Sequence, residues 1–416
     1  MVYYFKGREI MDDKYIELLI NRCTTLKKTP ILFISYNKEI QPFIDKLIEK
    51  VKSIGVSDIY LECNDRQKIH DALKDMTYEE IDNSPYFNKR IWDEYASKGA
   101  SFLMFETEIP HLMDDIDPQK IGYASKVQRS TKPIYRRLQE KCELSWCIAA
   151  YPGEKWAKDI YGDNEEAYDK LKNAIYKMCM IDKENPIKEW DNLLEKNKLI
   201  IDNLNSLNLA KLHYENSLGT NLDIYLPDNY LYSSAKDNDI IVNLPSYEVF
   251  TSPIYNKTNG IVYSSKPLSY NGVLINNFWI KFKDGKVIEY DAEVGKEVLG
   301  EIINTDDKSC YLGEAALVEV GSPIDSMNTN FGTTLIDENA SCHLALGAGF
   351  NECLKGGLKM EEDELLKHGI NTSKQHVDFM IGTKDLNITG YTKDNKTISI
   401  FKNGRFNEEV LNANKN

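Results

Sequence analysis

Between residues 29 and 150, short apolar runs alternate with stretches of helical spacing. Thr29-Pro30-Ile31-Leu32-Phe33-Ile34-Ser35 carries a continuous apolar run of the kind that buries both faces of a parallel strand. Gln41 to Ile54 follows with helical spacing and closes at Gly55, and Ser57 to Cys63 is a second strand, completing a strand–helix–strand unit. Ser101 to Phe105 and Leu144 to Ala150 read as two further strands, with a basic helix around Lys126 to Arg137 between them. The pattern predicts an α/β region with an open, mostly parallel sheet covered by helices. No G-x-G-x-x-G follows the first strand, so no nucleotide site is inferred.

Residues 164 to 204 are predicted largely helical, with Trp190, Leu193, Leu194, Ile200 and Ile201 as the apolar stripe. Near residue 205 the texture changes to short strands, turns and glycines: Gly219-Thr220-Asn221-Leu222-Asp223-Ile224, then Val273 to Phe282, then Val287 to Tyr290. Asp284-Gly285 between the last two runs is a strong hairpin signal. The expected organisation is an N-terminal α/β domain over 1–205 and a C-terminal mixed α/β domain over 206–416, α+β overall.

Composition narrows the partners. The chain has 416 residues, 42% hydrophobic and 28% charged, which fits two ordinary globular domains. Acidic residues number 65 against 51 basic, for a net charge of −14. Without a strong Lys/Arg cluster, that balance argues against nucleic acid and against docking on anionic lipid. No apolar run approaches the roughly 20 residues that span a bilayer. Charges at Lys6, Arg8 and Glu9 stand where a signal peptide would be apolar, so a cytoplasmic location is expected. The eight cysteines (23, 63, 142, 147, 179, 310, 342, 353) form no C-x-x-C pair and are expected to be reduced and mostly buried.

Only six histidines occur, so those that stand beside acids draw notice. In Gln375-His376-Val377-Asp378-Phe379-Met380-Ile381 the spacing is that of a strand, and residues two apart share a face. His376 and Asp378 could reach one ion, a nitrogen and a hard oxygen suited to Zn²⁺, Co²⁺ or Mn²⁺. Alone, the pair is better read as a structural contact at a sheet end. In Asp337-Glu338-Asn339-Ala340-Ser341-Cys342-His343-Leu344-Ala345-Leu346-Gly347, Asp337 can cap a helix. Glu338 would lie at its mouth and His343 a little over one turn in, with small residues at 340, 345 and 347–349 for close helix packing. Taken singly, these too have structural readings: a capped helix start and a core histidine. Glu248 and Glu314 are lone acids between apolar neighbours, and a desolvated carboxylate wants a cation or a proton. For either alone a buried salt bridge suffices.

Four segments in order carry a resemblance: NLPSYEVFTSP (243–253), YLGEAALVEVGSPI (311–324), FGTTLIDENASCHLALG (331–347) and HVDFMIG (376–382). Tyr151-Pro152-Gly153 through Trp156-Ala157, and Leu218 to Leu222, agree with it. The chain resembles the aminopeptidase T and aminopeptidase S family of metallo-aminopeptidases over most of residues 145–385. Carried over position by position, the resemblance implies metal ligands at Glu248, Glu314, Glu338, His343, His376 and Asp378, holding two divalent ions (Zn, Co, or Mn/Mg). It also implies a homodimer and release of N-terminal residues from peptides with broad specificity. Four carboxylates balance two divalent ions, with Glu314 as the expected bridge and proton shuttle; Glu319 and Asp325 are candidates to support the ligands. Two departures stand out. Phe350 falls where the family has a tyrosine, and Asn221 replaces the usual Asp of a G-T-D-L segment.

Overall fold

The computed structural model describes residues 2–109, 111–237, 240–270 and 272–413. It divides into two compact units, residues 1–193 with 236–246, and residues 194–235 with 247–416. Position 205 lies within the helix Pro186–Ser206. Among the described residues no helix is long and apolar enough to cross a membrane.

The first unit is built on a parallel sheet. Its strands are β1 (Ile31–Asn37), β2 (Asp58–Asn64), β3 (Ser101–Glu106) and β4 (Ser145–Ala150). The order across the sheet is Asn243–Leu244, β4, β3, β1, β2, every pairing parallel. The apolar runs of β1, β3 and β4 became strands inside the sheet, whereas β2 at its edge leaves Leu61 and Cys63 exposed. Phe33 of β1 lies opposite Tyr60 and Phe102, and with Trp92, Tyr95 and Tyr135 it forms an aromatic core on one side. Each fully buried ring there contributes about 1.5–3 kcal/mol by leaving water. The predicted single basic helix is two, Pro118–Ser130 and Pro133–Glu140. Pro133 bars helical geometry from the residue before it, and Lys132 accordingly sits at φ −131°, ψ 57°.

Among its described residues the second unit has two sheets. The larger is antiparallel and includes the hairpin Val273–Lys283 with Lys286–Val294. Asp284 (φ 51°) and Gly285 (φ 81°) both occupy the left-handed region that a two-residue hairpin turn requires, as Asp-Gly predicts. Asn221 is exposed at the start of the strand Asn221–Tyr225, and nothing in its surroundings explains the departure. The smaller sheet consists of β5 (Ser233–Ser234), β6 (Val249–Thr251), β7 (Leu312–Leu317), β8 (His343–Gly347) and β9 (His376–Met380). Its order is β9-β8-β7-β6-β5, all antiparallel.

One prediction is corrected here. Residues 338–347 are not a helix: Thr334–Asp337 makes one helical turn, Glu338–Ala340 a 3-10 turn, and His343 begins β8. Every residue of β8 is buried, so the segment has no in–out alternation to betray a strand, and a buried helix would show the same composition. The small residues serve a sheet: a Cβ on Gly347 would lie 2.2 Å from the Gln375 carbonyl oxygen.

Candidate metal centre

Strand register brings the candidates onto one face of the smaller sheet. Glu314 of β7 lies opposite Ala345 of β8, which lies opposite Asp378 of β9. Two residues along, Ala316 opposes His343, and Gly347 opposes His376. Directly paired residues, and residues two apart, point the same way. Glu314, His343, His376 and Asp378 therefore share a face, with Ala316, Ala345 and Gly347 between them leaving room for longer side chains. Glu248 precedes β6 at the spacing that puts it on the side of Phe250, whose partner is Ala316. The opposite face, with Val249, Leu317, Leu344, Leu346, Val377 and Phe379, packs into the unit's main core.

A bulge refines the aim. Pairing slips between Leu312 and Glu314, leaving Gly313 as the extra residue. A Cβ on Gly313 would stand 2.1 Å from the Ala348 carbonyl oxygen, so only glycine admits that approach. Glu338 arrives from outside the sheet, on the 3-10 turn that doubles back towards β8.

The ligand-type atoms form three overlapping triplets, each within 4.8 Å: Glu248, Glu314 and His343; Glu314, His376 and Asp378; Glu338, His343 and Asp378. All six sequence candidates are thus brought together. His343 Nε2 lies 3.0 Å from Glu248 Oε2, and His376 Nε2 lies 3.0 Å from Glu314 Oε2 and 3.1 Å from Asp378 Oδ1. The four carboxylates and His343 are buried, and His376 is partly open.

The backs of both imidazoles are fixed. His343 Nδ1 faces the main-chain oxygens of Glu338 at 2.9 Å and Ser341 at 3.2 Å. His376 Nδ1 faces that of Ala348 at 2.8 Å. A carbonyl only accepts, so each Nδ1 carries a proton and each Nε2 is turned to the carboxylates. That is how a protein orients a neutral imidazole for a cation.

Charge inside the cluster is out of balance. Burial, then the Asp378 charge, pushes Glu314 up to about 8, against the pull of His376. Burial and the charges of Asp378 and Glu248 hold Glu338 well above the carboxylate range. For the imidazoles burial is the largest influence and acts the other way, but the bond to Glu248 with the charges of Glu248, Glu314 and Asp378 together outweigh it at His343, and Asp378 with Glu314 outweighs it at His376, so both are raised. Burial would raise Asp378 too, yet His376 brings it down to about 2. Four acids against two imidazoles can be buried only with protons or cations among them. Hard oxygens with two borderline nitrogens, all aimed inward, fit divalent ions of the zinc, cobalt or manganese kind.

Glu319 and Asp325 do not join the cluster. Glu319 pairs with Lys196 at 2.9 Å and accepts from the Phe406 amide at 3.2 Å. Asp325 accepts from the Gly321 amide at 2.8 Å and faces Lys266 at 3.6 Å. The supporting residue that sequence reading missed is Asn339, fully buried. Its amide donates to Glu338 Oε1 at 3.3 Å and to the Leu335 carbonyl, and its oxygen accepts from the Tyr247 amide at 2.7 Å. Its position next to Glu338 was the available signal. Phe350 stands with its ring 5.0 Å from that of His376 and 4.8 Å from that of Phe250, its amide donating to Ser252 Oγ at 2.8 Å.

A buried acid-and-imidazole cluster of this kind, on one face of a small sheet, has the donor set of a metal-dependent enzyme. The model of the thermophilic metalloprotease (M29) family matches residues 10–406, and the chain belongs to that family. Aminopeptidase 2 of Geobacillus stearothermophilus is 35% identical, covering 96% of this chain and 98% of its own. Aminopeptidase AmpS of Bacillus subtilis is 33% identical over 94% and 97%. Among solved structures, wild-type AmpT from Thermus thermophilus superposes with a TM-score of 0.84 at 27% identity, covering 96% of this chain and 99% of that one. The chain is a metal-dependent aminopeptidase.

Proposed function

We propose that Glu248, Glu314, Glu338, His343, His376 and Asp378 hold two divalent ions, zinc or cobalt before manganese or magnesium, and that the site removes N-terminal residues from peptides with broad specificity. The observation that carries this reading is the convergence of all six side chains with both imidazoles already fixed from behind. Four ionised carboxylates match the charge of two divalent ions, whereas one ion would leave an excess of two negative charges buried. When bound, such ions would polarise the scissile carbonyl, acidify a water and offer an anchor to the free amino group.

The protein's own share of the chemistry falls to residues with a stated geometry. Glu314 and Asp378 each belong to two of the triplets, so either could be shared between two ions, and Glu314 is the one we assign to that role. We also assign it to take a proton from the attacking water and return it to the leaving amine. Asn339 keeps Glu338 in place, and the Ala348 and Glu338 carbonyls keep the imidazoles from turning. We further propose a homodimer working in the cytoplasm, on family resemblance.

The test is a substrate panel with metal removal. Aminoacyl arylamides and dipeptides should be cleaved, their N-acetylated counterparts should be inert, and chelation should stop turnover until Zn²⁺ or Co²⁺ is restored. Full turnover by metal-free protein, or equal cleavage of blocked substrates, rejects the proposal. Phe350 favours one second reading, a metal-stabilised homologue with little turnover; a thermal shift on adding metal without cleavage of any substrate in the panel would select it.

A further inference from the structure

Access to the metal cluster lies at His376. Its side chain is 25% exposed, against 12% for Asp378 and 6% or less for Glu248, Glu314 and His343. What borders that opening is apolar. The Phe350 ring stands 5.0 Å from the His376 imidazole, tilted by 57°, and 4.8 Å from the Phe250 ring. Behind it Phe250, Ala316 and Cys353 are buried together. Ala316 belongs to the ligand-bearing face, opposite both Phe250 and His343, so this apolar cluster continues the floor of the site sideways.

The ring is also held in place. The Phe350 amide donates to Ser252 Oγ at 2.8 Å, and a Cβ on Gly349 would stand 3.0 Å from that same oxygen and 3.1 Å from the Gly313 carbonyl oxygen. The backbone that carries the ring is thus pressed against β7 and the residue that follows β6. Phe350 itself is only half-buried, whereas Phe250 and Cys353 are buried. A fixed aromatic face left partly open beside the way in suits an apolar group arriving from outside.

We propose that Phe350, backed by Phe250 and Cys353, is the wall that receives the side chain of a substrate's first residue, and that the chain favours peptides beginning with an extended apolar residue. This rests on the reading of the six-residue cluster as the place where the free amino group and the first carbonyl are held. Both groups are one bond from the first residue's Cα, so its side chain leaves from beside the cluster. Elsewhere around the cluster it meets buried carboxylates and imidazoles; towards Phe350 it meets apolar surface. A charged side chain there would lose water without gaining a partner from Phe250, Ala316 or Cys353. The second residue's side chain lies a peptide unit further out and should not sense the ring. Broad specificity then means a preference graded by apolar area.

The experiment measures kcat/KM of the metal-loaded protein on arylamides whose first residue runs through alanine, 2-aminobutyrate, norvaline and norleucine. Each added methylene should raise it about three- to fourfold, and lysine and glutamate arylamides should fall about tenfold or more below norleucine. Phe350→Ala should flatten the series, cutting the norleucine-to-alanine ratio by about tenfold, and Phe350→Leu should keep its order. The ratio between Leu-Ala and Leu-Phe dipeptides should be the same in all three proteins. Thermal melts check that both variants fold, and calorimetry with the free amino acids reads the wall without turnover: norleucine should bind about tenfold more tightly than alanine, and lose that margin in Phe350→Ala. A flat series, a preference for lysine or glutamate, or a Phe350→Ala effect equal on alanine and norleucine overturns the wall. A variant effect that follows the second residue also overturns it. If no arylamide is cleaved but norleucine keeps its Phe350-dependent margin in binding, the wall stands and the peptidase reading falls.

Discussion

Two buried charge clusters, one in each unit, solve opposite problems. In the first unit Asp12 is buried with a counter-charge to match: Lys172 Nζ lies 2.9 Å from its Oδ1, Lys46 Nζ 3.5 Å from its Oδ2, and the hydroxyls of Tyr151 and Tyr176 donate to it. Lys46 is open to solvent, so the buried charge of Asp12 is met by the buried Lys172. In the second unit four carboxylates face two imidazoles, and the deficit of positive charge can be met only by protons or by cations brought from outside. A closed ion pair fastens a helix, whereas an unbalanced one is built to receive something. Burial alone does not separate the two; the charge balance does.

The widest gap between the clusters should appear on truncation. His376→Ala removes a nitrogen from the acid-rich cluster and should lower kcat/KM by far more than the about 100-fold typical of losing a residue that only supports a ligand. In chelator its melting temperature should fall at pH 5, where the protonated imidazole pairs with Glu314 and Asp378, and change less at pH 8. Steady-state kinetics beside a thermal melt decides it; a variant retaining a tenth of wild-type turnover would place His376 outside the reaction. Asp12→Ala should do the reverse. It removes the carboxylate that the buried Lys172 ammonium faces, at a cost of about 3–5 kcal/mol in stability. At a temperature where the variant stays folded its turnover should match wild type, and urea unfolding measures the loss.

The protons that stand in for cations predict a pH signature. In metal-free protein Glu314, Glu338, His343 and His376 all bind protons more tightly folded than unfolded. The stability they contribute is fully present below their unfolded values, about 4.3 for Glu and 6.5 for His, and fades as pH rises through the folded ones. Asp378, brought down to about 2, behaves oppositely, and its contribution is lost only in strong acid. Chelated protein should therefore lose melting temperature from pH 5 to 8, while bound ions, which need the same groups deprotonated, hold better as pH rises. The gain in melting temperature on adding Zn²⁺ should widen by several degrees over that interval. A gain that narrows would mean the ions bind elsewhere.

The two units also differed in how far sequence exposed them. The parallel strands were legible because each apolar run is short, bounded and separated by a helix, and the hairpin at Asp284-Gly285 because few residues other than glycine and Asn/Asp tolerate its backbone. His376 and Asp378 were legible as same-face strand neighbours. The stretch around His343 was not: β8 is buried throughout, so its composition fits a helix as well as a strand, and Asp337 looked like a cap. Glu338 and His343 still converge, because the 3-10 turn folds back until His343 Nδ1 meets the Glu338 carbonyl. No periodicity encodes that reversal. Nor could a lone Glu314 disclose that a bulge at Gly313 aims it, since the partner strand lies some thirty residues away.

The smallest expected effect concerns the edge of the unbalanced cluster. Phe350 holds its ring against His376 and Phe250, and its amide is tied to Ser252 Oγ, so the ring is positioned by three contacts that do not depend on what its para position carries. Phe350→Tyr adds only a hydroxyl at a half-buried position beside partly open His376. If the new group donates to charge developing in the transition state, a single hydrogen bond worth about 0.5–1.5 kcal/mol should raise kcat roughly two- to tenfold, with KM little changed. The melting temperature should stay within a degree or two, because no packed atom is lost. A fall in kcat with unchanged stability would show instead that the apolar ring itself is needed, to keep water from the back of His376. That outcome would make Phe350 part of how this chain tunes its imidazole.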